Sequence, residues 1–268
     1  MKDAVFITGA QSGTGYGIAE YFAQRGWNVF ITSRRGDEAV KSAEALSKEY
    51  GIFAKGYECN IGNEQQVIDI FNDIDATGYF VKTIVLNAAN MGFSAKDPAA
   101  GQDFFTVPVR DFAEVFETNL VWNFTMIRQA AMRMKENGGG AVVFISSNTA
   151  YKAIPNRAAY SASKGGINSL SKALAVDLGK YGIRSNVVLP GTIKTERWVQ
   201  MGNKQIVNGS LTPIGDISDY EDIAAAAYYL GSDMSKNVTG TEITVDGGMS
   251  CQLYPQLLTE LKKKLAEN

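Results

Sequence analysis

Two rhythms of apolar residues alternate along this chain. Short runs at "AVFIT" (4–8), "NVFIT" (28–32), "IFAKGYEC" (52–59), "VKTIVLNA" (81–88), "GAVVFISS" (140–147), "GIRSNVVLP" (182–190) and "TEITVDGG" (241–248) read as strands. Between them, "GIAEYFAQRG" (17–26) and "NEQQVIDIFNDI" (63–74) place apolar residues at helical spacing. "DEAVKSAEALSKEYG" does the same, with an acidic start and a glycine stop at Gly51. Longer helical patterns cover about 109–137 and 157–180. Apolar strands interleaved with helices predict an α/β fold: a single doubly wound (Rossmann-like) parallel sheet with helices on both faces. No internal repeat and no linker interrupts the pattern, so residues 1–268 read as one domain, with 251–268 as a C-terminal extension.

Two stretches break the rhythm, 90–107 and 192–218. Both leave from the carboxyl ends of predicted strands, the edge where open parallel sheets bind ligands, and they read as lids over a substrate.

Composition narrows the function classes. A net charge of -2 argues against nucleic acid as a partner. No apolar run is long enough for a membrane span, and "MKDAVFITGA" enters a strand at once, so a cytoplasmic protein is expected. Two cysteines and no histidine build neither a disulfide framework nor a zinc finger, and no metal site is expected. Acid–base work is left to Asp, Glu, Lys, Tyr or Cys.

The first strand–helix junction reads "ITGAQSGTGYG" (7–17). Its glycines depart from G-x-G-x-x-G and fit T-G-x-x-x-G-x-G. Thr8 and Gly9 open the turn, Gly13 and Gly15 close it, and Ser12 and Thr14 lie between. Such a turn lets the backbone approach a pyrophosphate at a helix N-terminus. After the second strand, Ser33 stands where an NAD binder carries an acid, followed by Arg34 and Arg35. An arginine fits a 2′-phosphate that a carboxylate would repel, so NADP(H) is the preferred cofactor and NAD(H) a possible one.

"AAYSASKGG" (158–166) sets Tyr160 and Lys164 one helical turn apart on one face. That pair is either surface decoration or a proton-transfer device.

With these residues in view, the chain resembles the short-chain dehydrogenase/reductase family from Thr8 to Gly248. Its motifs fall in the family's order: "TGAQSGTG", "LNAAN", "TNL", "ISS", "YSASK" and "PGTIKT". The resemblance implies an oxidoreductase that interconverts an alcohol and a ketone. It makes Tyr160 the acid/base, Lys164 its partner and Ser147 the holder of the substrate oxygen. Asn119 would support a water that links the lysine to solvent. For the cofactor it implies Asn87 beside the glycine turn, and Asn60 and Ile61 around the adenine. Pro190, Ile193 and Thr195 would lie near the nicotinamide. The family's N-N-A-G is here Asn87-Ala88-Ala89-Asn90. Asn90 then stands where a glycine would adopt a left-handed conformation, which asparagine tolerates less freely.

Tyrosine alone is a weak base, with a pKa of about 10. Lowering it by about three pH units takes roughly 4 kcal/mol, which one cation about 4 Å away supplies at an effective dielectric of about 20. Lys164, with the positive charge of an oxidised nicotinamide, is therefore expected to draw Tyr160 downward.

The substrate expected is a small-molecule alcohol or ketone: a hydroxysteroid, a sugar or polyol, or a 3-oxoacyl compound. Phe93, Phe104, Phe105, Tyr151, Ile154, Trp198 and Met201 are apolar candidates for its pocket; Asn148, Asn156, Lys194 and Glu196 are polar ones. A dinucleotide sensor without catalysis is the alternative, and it would have no need of the Tyr–Lys–Ser–Asn set. The resemblance further implies a homo-oligomer, a dimer or tetramer built on the two long helices. The tail carries Leu257, Leu258, Leu261 and Leu265 on one stripe, suited to packing on a neighbour or on its own domain.

Overall fold

The computed structural model describes residues 2–92, 103–195, 212–253 and 266–267. Most of both interrupting stretches and of the tail, including Phe93, Glu196, Trp198, Met201 and the four leucines, therefore lies outside the described residues.

Seven strands form one sheet: β1 (Lys2–Thr8), β2 (Asn28–Ser33), β3 (Ala54–Glu58), β4 (Tyr79–Leu86), β5 (Gly140–Ile145), β6 (Ile183–Pro190) and β7 (Glu242–Val245). Their order is β3-β2-β1-β4-β5-β6-β7, every neighbouring pair parallel. The helices are α1 (Gly13–Ala23), α2 (Gly36–Tyr50), α3 (Glu64–Ala76), α4 (Val109–Phe116), α5 (Trp122–Glu136), α6 (Ala158–Gly179) and α7 (Tyr220–Gly231). A single π-turn, Glu117–Val121, joins α4 to α5, so the predicted long helix is continuous but interrupted.

Alternate residues along β1 serve opposite faces, as pleating requires. Phe6 enters one core with Phe71 of α3, Met126 of α5 and Ile167 of α6. Val5 and Ile7 enter the other with Ile18 and Phe22 of α1, Leu46 of α2 and Leu230 of α7. The strand order reverses between β1 and β4, opening a crevice beyond their carboxyl ends.

Two elements differ from the sequence reading. Helix α1 begins at Gly13, four residues earlier than its apolar pattern, because the glycine turn itself winds into the helix. The reading named no helix over 220–231, yet Asp219 and Asp222 form a reciprocal capping box there.

Candidate active site

The crevice is built by a strap between the first and fourth strands. The Thr8 hydroxyl accepts from the backbone N–H groups of Asn87 and Ala88, each at 3.0 Å. The Asn87 amide donates to the carbonyls of Thr8 and Gly9, each at 3.1 Å. Thr8 is fully buried, so its side chain holds the turn in place.

Gly9 and Gly13 have φ of 63° and 60°, the left-handed region that favours glycine. A Cβ on Gly15 would lie 2.4 Å from the Gly9 carbonyl oxygen and 2.6 Å from the Asn87 amide nitrogen, so only glycine fits. Ser12 is exposed at the N-cap of α1 without a capping hydrogen bond, and no acid occupies the first turn. The first amides of α1 thus face outward uncapped, the arrangement an anionic pyrophosphate takes. Thr14 is half-buried in the same turn. These residues fit a dinucleotide.

At the end of β2, Ser33 is buried and its hydroxyl accepts from the Arg35 N–H at 3.0 Å. Arg35 pairs with Glu38 at 2.8 Å, while Arg34 is exposed beside it. Asn60 spends its side-chain oxygen on the Gly62 N–H at 3.2 Å, and Ile61 packs against the core. At the other end, Pro190 closes β6 and Gly191 donates to the Val245 carbonyl at 2.9 Å. Ile193 bridges to Ser218, and the Thr195 N–H donates to the Ile193 carbonyl at 2.8 Å.

The candidate reacting set comes from three elements. Ser147 follows β5 and is buried; its Oγ accepts from the N–H and hydroxyl of Thr149 at 3.1 and 2.9 Å. Lys164, on α6, is 3 % exposed. Its Nζ donates to the Ile145 carbonyl at 2.8 Å and stands 5.5 Å from the centroid of the half-buried Tyr160 ring. Burial lowers the Lys164 ammonium to about 8. Burial also pushes the Tyr160 phenol up to about 12, against a hydrogen bond with Ser147 and the charge of Arg157. Burial is the largest cause of both shifts.

Asn119 is fully buried in the π-turn, a local geometry often found at functional sites. Its side chain accepts from the Asn90 N–H at 2.6 Å and donates to the Asn90 carbonyl at 2.8 Å. Asn90 is therefore clamped, and it does not take the left-handed conformation considered for it. Among the described residues, Asn156 (φ 58°) is the non-glycine that does.

The apolar pocket candidates within the described residues do not close over the site. Phe104, Phe105, Tyr151 and Ile154 are exposed, and the Tyr151 hydroxyl donates to Glu242 of β7. Of the polar candidates, Asn148 contacts the Met249 sulfur at 4.0 Å, and Lys194 pairs with Asp216 at 2.5 Å.

Two supporting residues escaped the sequence reading. The Ser146 hydroxyl donates to the Lys164 carbonyl at 3.2 Å, and its only sequence mark is its place beside Ser147. Asp246 is buried against Gly191 and accepts from the N–H groups of Gly248 and Ser250 at 2.9 and 2.8 Å. Its signal was the Asp-Gly-Gly turn at 246–248. A separate cleft of about 660 Å³ lies beside the glycine turn, between α1, α2 and the start of α7. Gln11, Tyr16, Lys41 and Tyr220 line it, and the Ser–Tyr–Lys set does not. Among the described residues no group of His, Cys, Asp and Glu is placed to hold a metal, and no helix is long and apolar enough to cross a membrane.

Comparison with known proteins agrees with this geometry. The family model described as "Enoyl-(Acyl carrier protein) reductase" matches residues 9–250. The L-rhamnose 1-dehydrogenase (NAD(P)(+)) of Sphingomonas sp. (strain SKA58) is 33 % identical over 93 % of this chain and 96 % of its own. The 3-oxoacyl-[acyl-carrier-protein] reductase of Aquifex aeolicus (strain VF5) is 29 % identical over 91 % of this chain and 95 % of its own. A solved 7 alpha-hydroxysteroid dehydrogenase, complexed with NADH and 7-oxo glycochenodeoxycholic acid, superposes with a TM-score of 0.82 at 31 % identity. That superposition covers 92 % of this chain and 93 % of the other. A nucleotide turn at the sheet's switch point, a Ser–Tyr–Lys set at its rim and a family match over nearly the whole length agree: the chain belongs to the short-chain dehydrogenase/reductase family of oxidoreductases.

Proposed function

We propose that this protein is an NADP(H)-preferring enzyme that interconverts a secondary alcohol and a ketone. The observation that carries the proposal is the convergence of Ser147, Tyr160 and Lys164. Ser147 lies near enough to favour the ionised phenol, and the ammonium stands 5.5 Å from the centroid of the same ring. When bound, the nicotinamide cofactor gives or takes the hydride.

The remaining work belongs to side chains and backbone of this chain. Gly9, Gly13, Gly15 and the start of α1 hold the pyrophosphate, with Ser12, Thr14 and Asn87 shaping the turn. Arg34 meets the 2′-phosphate, with Ser33 leaving that space uncharged and Arg35 braced on Glu38. Asn60 and Ile61 border the adenine; Pro190, Ile193 and Thr195 border the nicotinamide. Ser147 holds the substrate oxygen while Tyr160 gives it a proton in reduction or removes one in oxidation. A phenol near 12 is fully protonated at neutral pH, the form that reduction needs. Lys164 stabilises the charge that develops on the phenolate, and Asn119 keeps the surrounding backbone fixed.

The polar residues Asn148 and Asn156 favour a sugar-derived or polyol substrate, and hydroxysteroids and 3-oxoacyl compounds form the other arms of the test. Exposed Val121, Phe124 and Met132 on the π-turn and α5, with Val176 on α6, support a homotetramer, which we place in the cytoplasm. The test is absorbance at 340 nm with NADPH or NADH against panels of the three ketone classes. Turnover by the wild type that falls at least about 100-fold in Tyr160→Phe is expected. Silence in every panel with cofactor binding intact would favour the sensor instead.

A further inference from the structure

We propose that Glu242 is a positioning residue for Ser147, acting through the hydroxyl of Tyr151. The inference rests on the chemistry proposed above, in which Ser147 holds the substrate oxygen. Glu242 opens β7, the edge strand of the sheet, where a charged side chain ordinarily stands in water and deters further pairing. Here the side chain is only 14 % exposed.

A carboxylate drawn out of water needs partners, and Glu242 takes them from two segments. Lys172 Nζ stands 2.7 Å from its Oε1. Its Oε2 accepts from Asn168 Nδ2 at 3.3 Å and from the Tyr151 hydroxyl. Asn168 and Lys172 continue, in four-residue steps, the row that Tyr160 and Lys164 begin on α6. Tyr151 belongs to the turn that starts at Ser147. One carboxylate therefore ties the helix of the acid/base residue to the turn of the serine.

That turn is bound as a unit, so what holds its far end also holds the serine. Before it, the Ser146 N–H donates to the Val188 carbonyl of β6 at 2.9 Å. Within it, Ser147 Oγ accepts from the Thr149 N–H, and the Ser147 carbonyl accepts from the Ala150 N–H at 3.1 Å. The Asn148 carbonyl accepts from the N–H groups of Tyr151 and Lys152 at 3.0 and 2.9 Å. Tyr151 itself is exposed, so packing holds it only weakly and the bond to Glu242 anchors it. A hydrogen bond to a carboxylate is roughly twice as strong as one between neutral groups. Tyr151 is thus a strut for the serine.

Tyr151→Phe removes one oxygen from an exposed ring and leaves the fold its contacts. It is expected to lower kcat about tenfold, with the Kd for NADPH changed less than about twofold. Glu242→Leu is expected to lose as much, and Glu242→Gln, which keeps an acceptor for the phenol, to recover most of it. The double variant Tyr151→Phe, Glu242→Leu falls no further than either single one, because both remove the same bond. Additive losses overturn the inference. Tyr160→Phe run alongside separates the two proposals: undiminished turnover there overturns the proposed chemistry itself. Lost turnover there, with wild-type kcat in Tyr151→Phe, overturns the role of Glu242 alone. Amide hydrogen exchange of the cofactor-free protein, followed by mass spectrometry, decides without any substrate. Exchange over residues 147–152 is expected to be at least about fivefold faster in Tyr151→Phe, with α6 unchanged. Exchange in that turn equal to wild type overturns the inference.

Discussion

Lys164 keeps its charge in a place that disfavours it. Its ammonium, ordinarily at 10.5, is lowered by burial to about 8, so between those values the folded chain binds fewer protons than the unfolded one. Stability therefore rises as pH climbs through that window, by at most about 3 kcal/mol, and the penalty is fully present below pH 8. The phenol of Tyr160 acts oppositely at higher pH: raised to about 12, it retains its proton when folded and removes stability above pH 10. Lys164→Met is expected to be more stable than wild type at pH 7 and to lack the rise between pH 8 and 10, while losing turnover. Urea midpoints at the two pH values measure this, and parallel pH dependence in both proteins would contradict it. At the adenosine end, Arg34 and Arg35 are adjacent in sequence but differ in position: Arg35 is tied to Glu38, and Arg34 points the reading toward itself. Arg34→Asp should weaken NADPH binding at least about tenfold more than NADH binding, measured by fluorescence titration. Equal losses would argue against the NADP(H) assignment. The residue types at both positions were legible in the sequence. The direction of the pKa shifts was not, because burial depends on what other segments cover.

At the scale of the element, helix ends explain both a success and an omission. Gly51, a helix stop by its sequence, does end α2, in a left-handed conformation at φ 66°. Helix α7 was not named, although Asp219 accepts from the N–H groups of Glu221 and Asp222, and Asp222 accepts in return from Asp219. Asp219→Ala removes this cap and is expected to destabilise the protein by about 1 kcal/mol. Thermal unfolding should show a drop of a few degrees, and an unchanged midpoint would mean that packing against α1 alone holds α7. The π-turn at Glu117–Val121 had no signature in the sequence: "ETNLV" satisfies helical spacing as well as its neighbours do. What sets it is tertiary. Asn119 is pulled onto Asn90 and Ser163, and the backbone accommodates the pull with a wider turn. Thr8 shows the same dependence. Its motif pointed to the cofactor, and its side chain serves the strap to β4, which lies far away in sequence.

For the whole molecule, the parallel sheet converts chain order into a site. Ser147, Asn87 and Gly9 follow strand ends, Gly13 opens the first helix, and Tyr160 with Lys164 lies in the first turns of the sixth; all gather at one rim. The opposite problem is what covers the outward faces. Val121, Phe124 and Met132 recur along one side of the π-turn and α5 and stay exposed in the isolated chain. If copies of this chain pack there, light scattering on the wild type should give a mass about four times that of one chain. Phe124→Glu should shift the mass toward smaller species. A monomeric wild type would remove the homo-oligomer from the proposal.

The sequence by itself determined the alternation of strands and helices, the parallel α/β fold, the position of the glycine turn and the candidate Ser–Tyr–Lys set. These are local patterns: apolar period, chain-reversing glycines and a four-residue helical step keep their meaning wherever the segment lies. Only the tertiary structure decided which groups lose water and which hydrogen bonds cross between elements. It took Lys164 and the Tyr160 phenol far enough out of water to push their proton affinities in opposite directions. It turned Thr8 inward and bound Asn119 to Asn90 and Ser163. Desolvation and long-range hydrogen bonds depend on neighbours that the chain supplies from tens of residues away, and no window of sequence contains both partners.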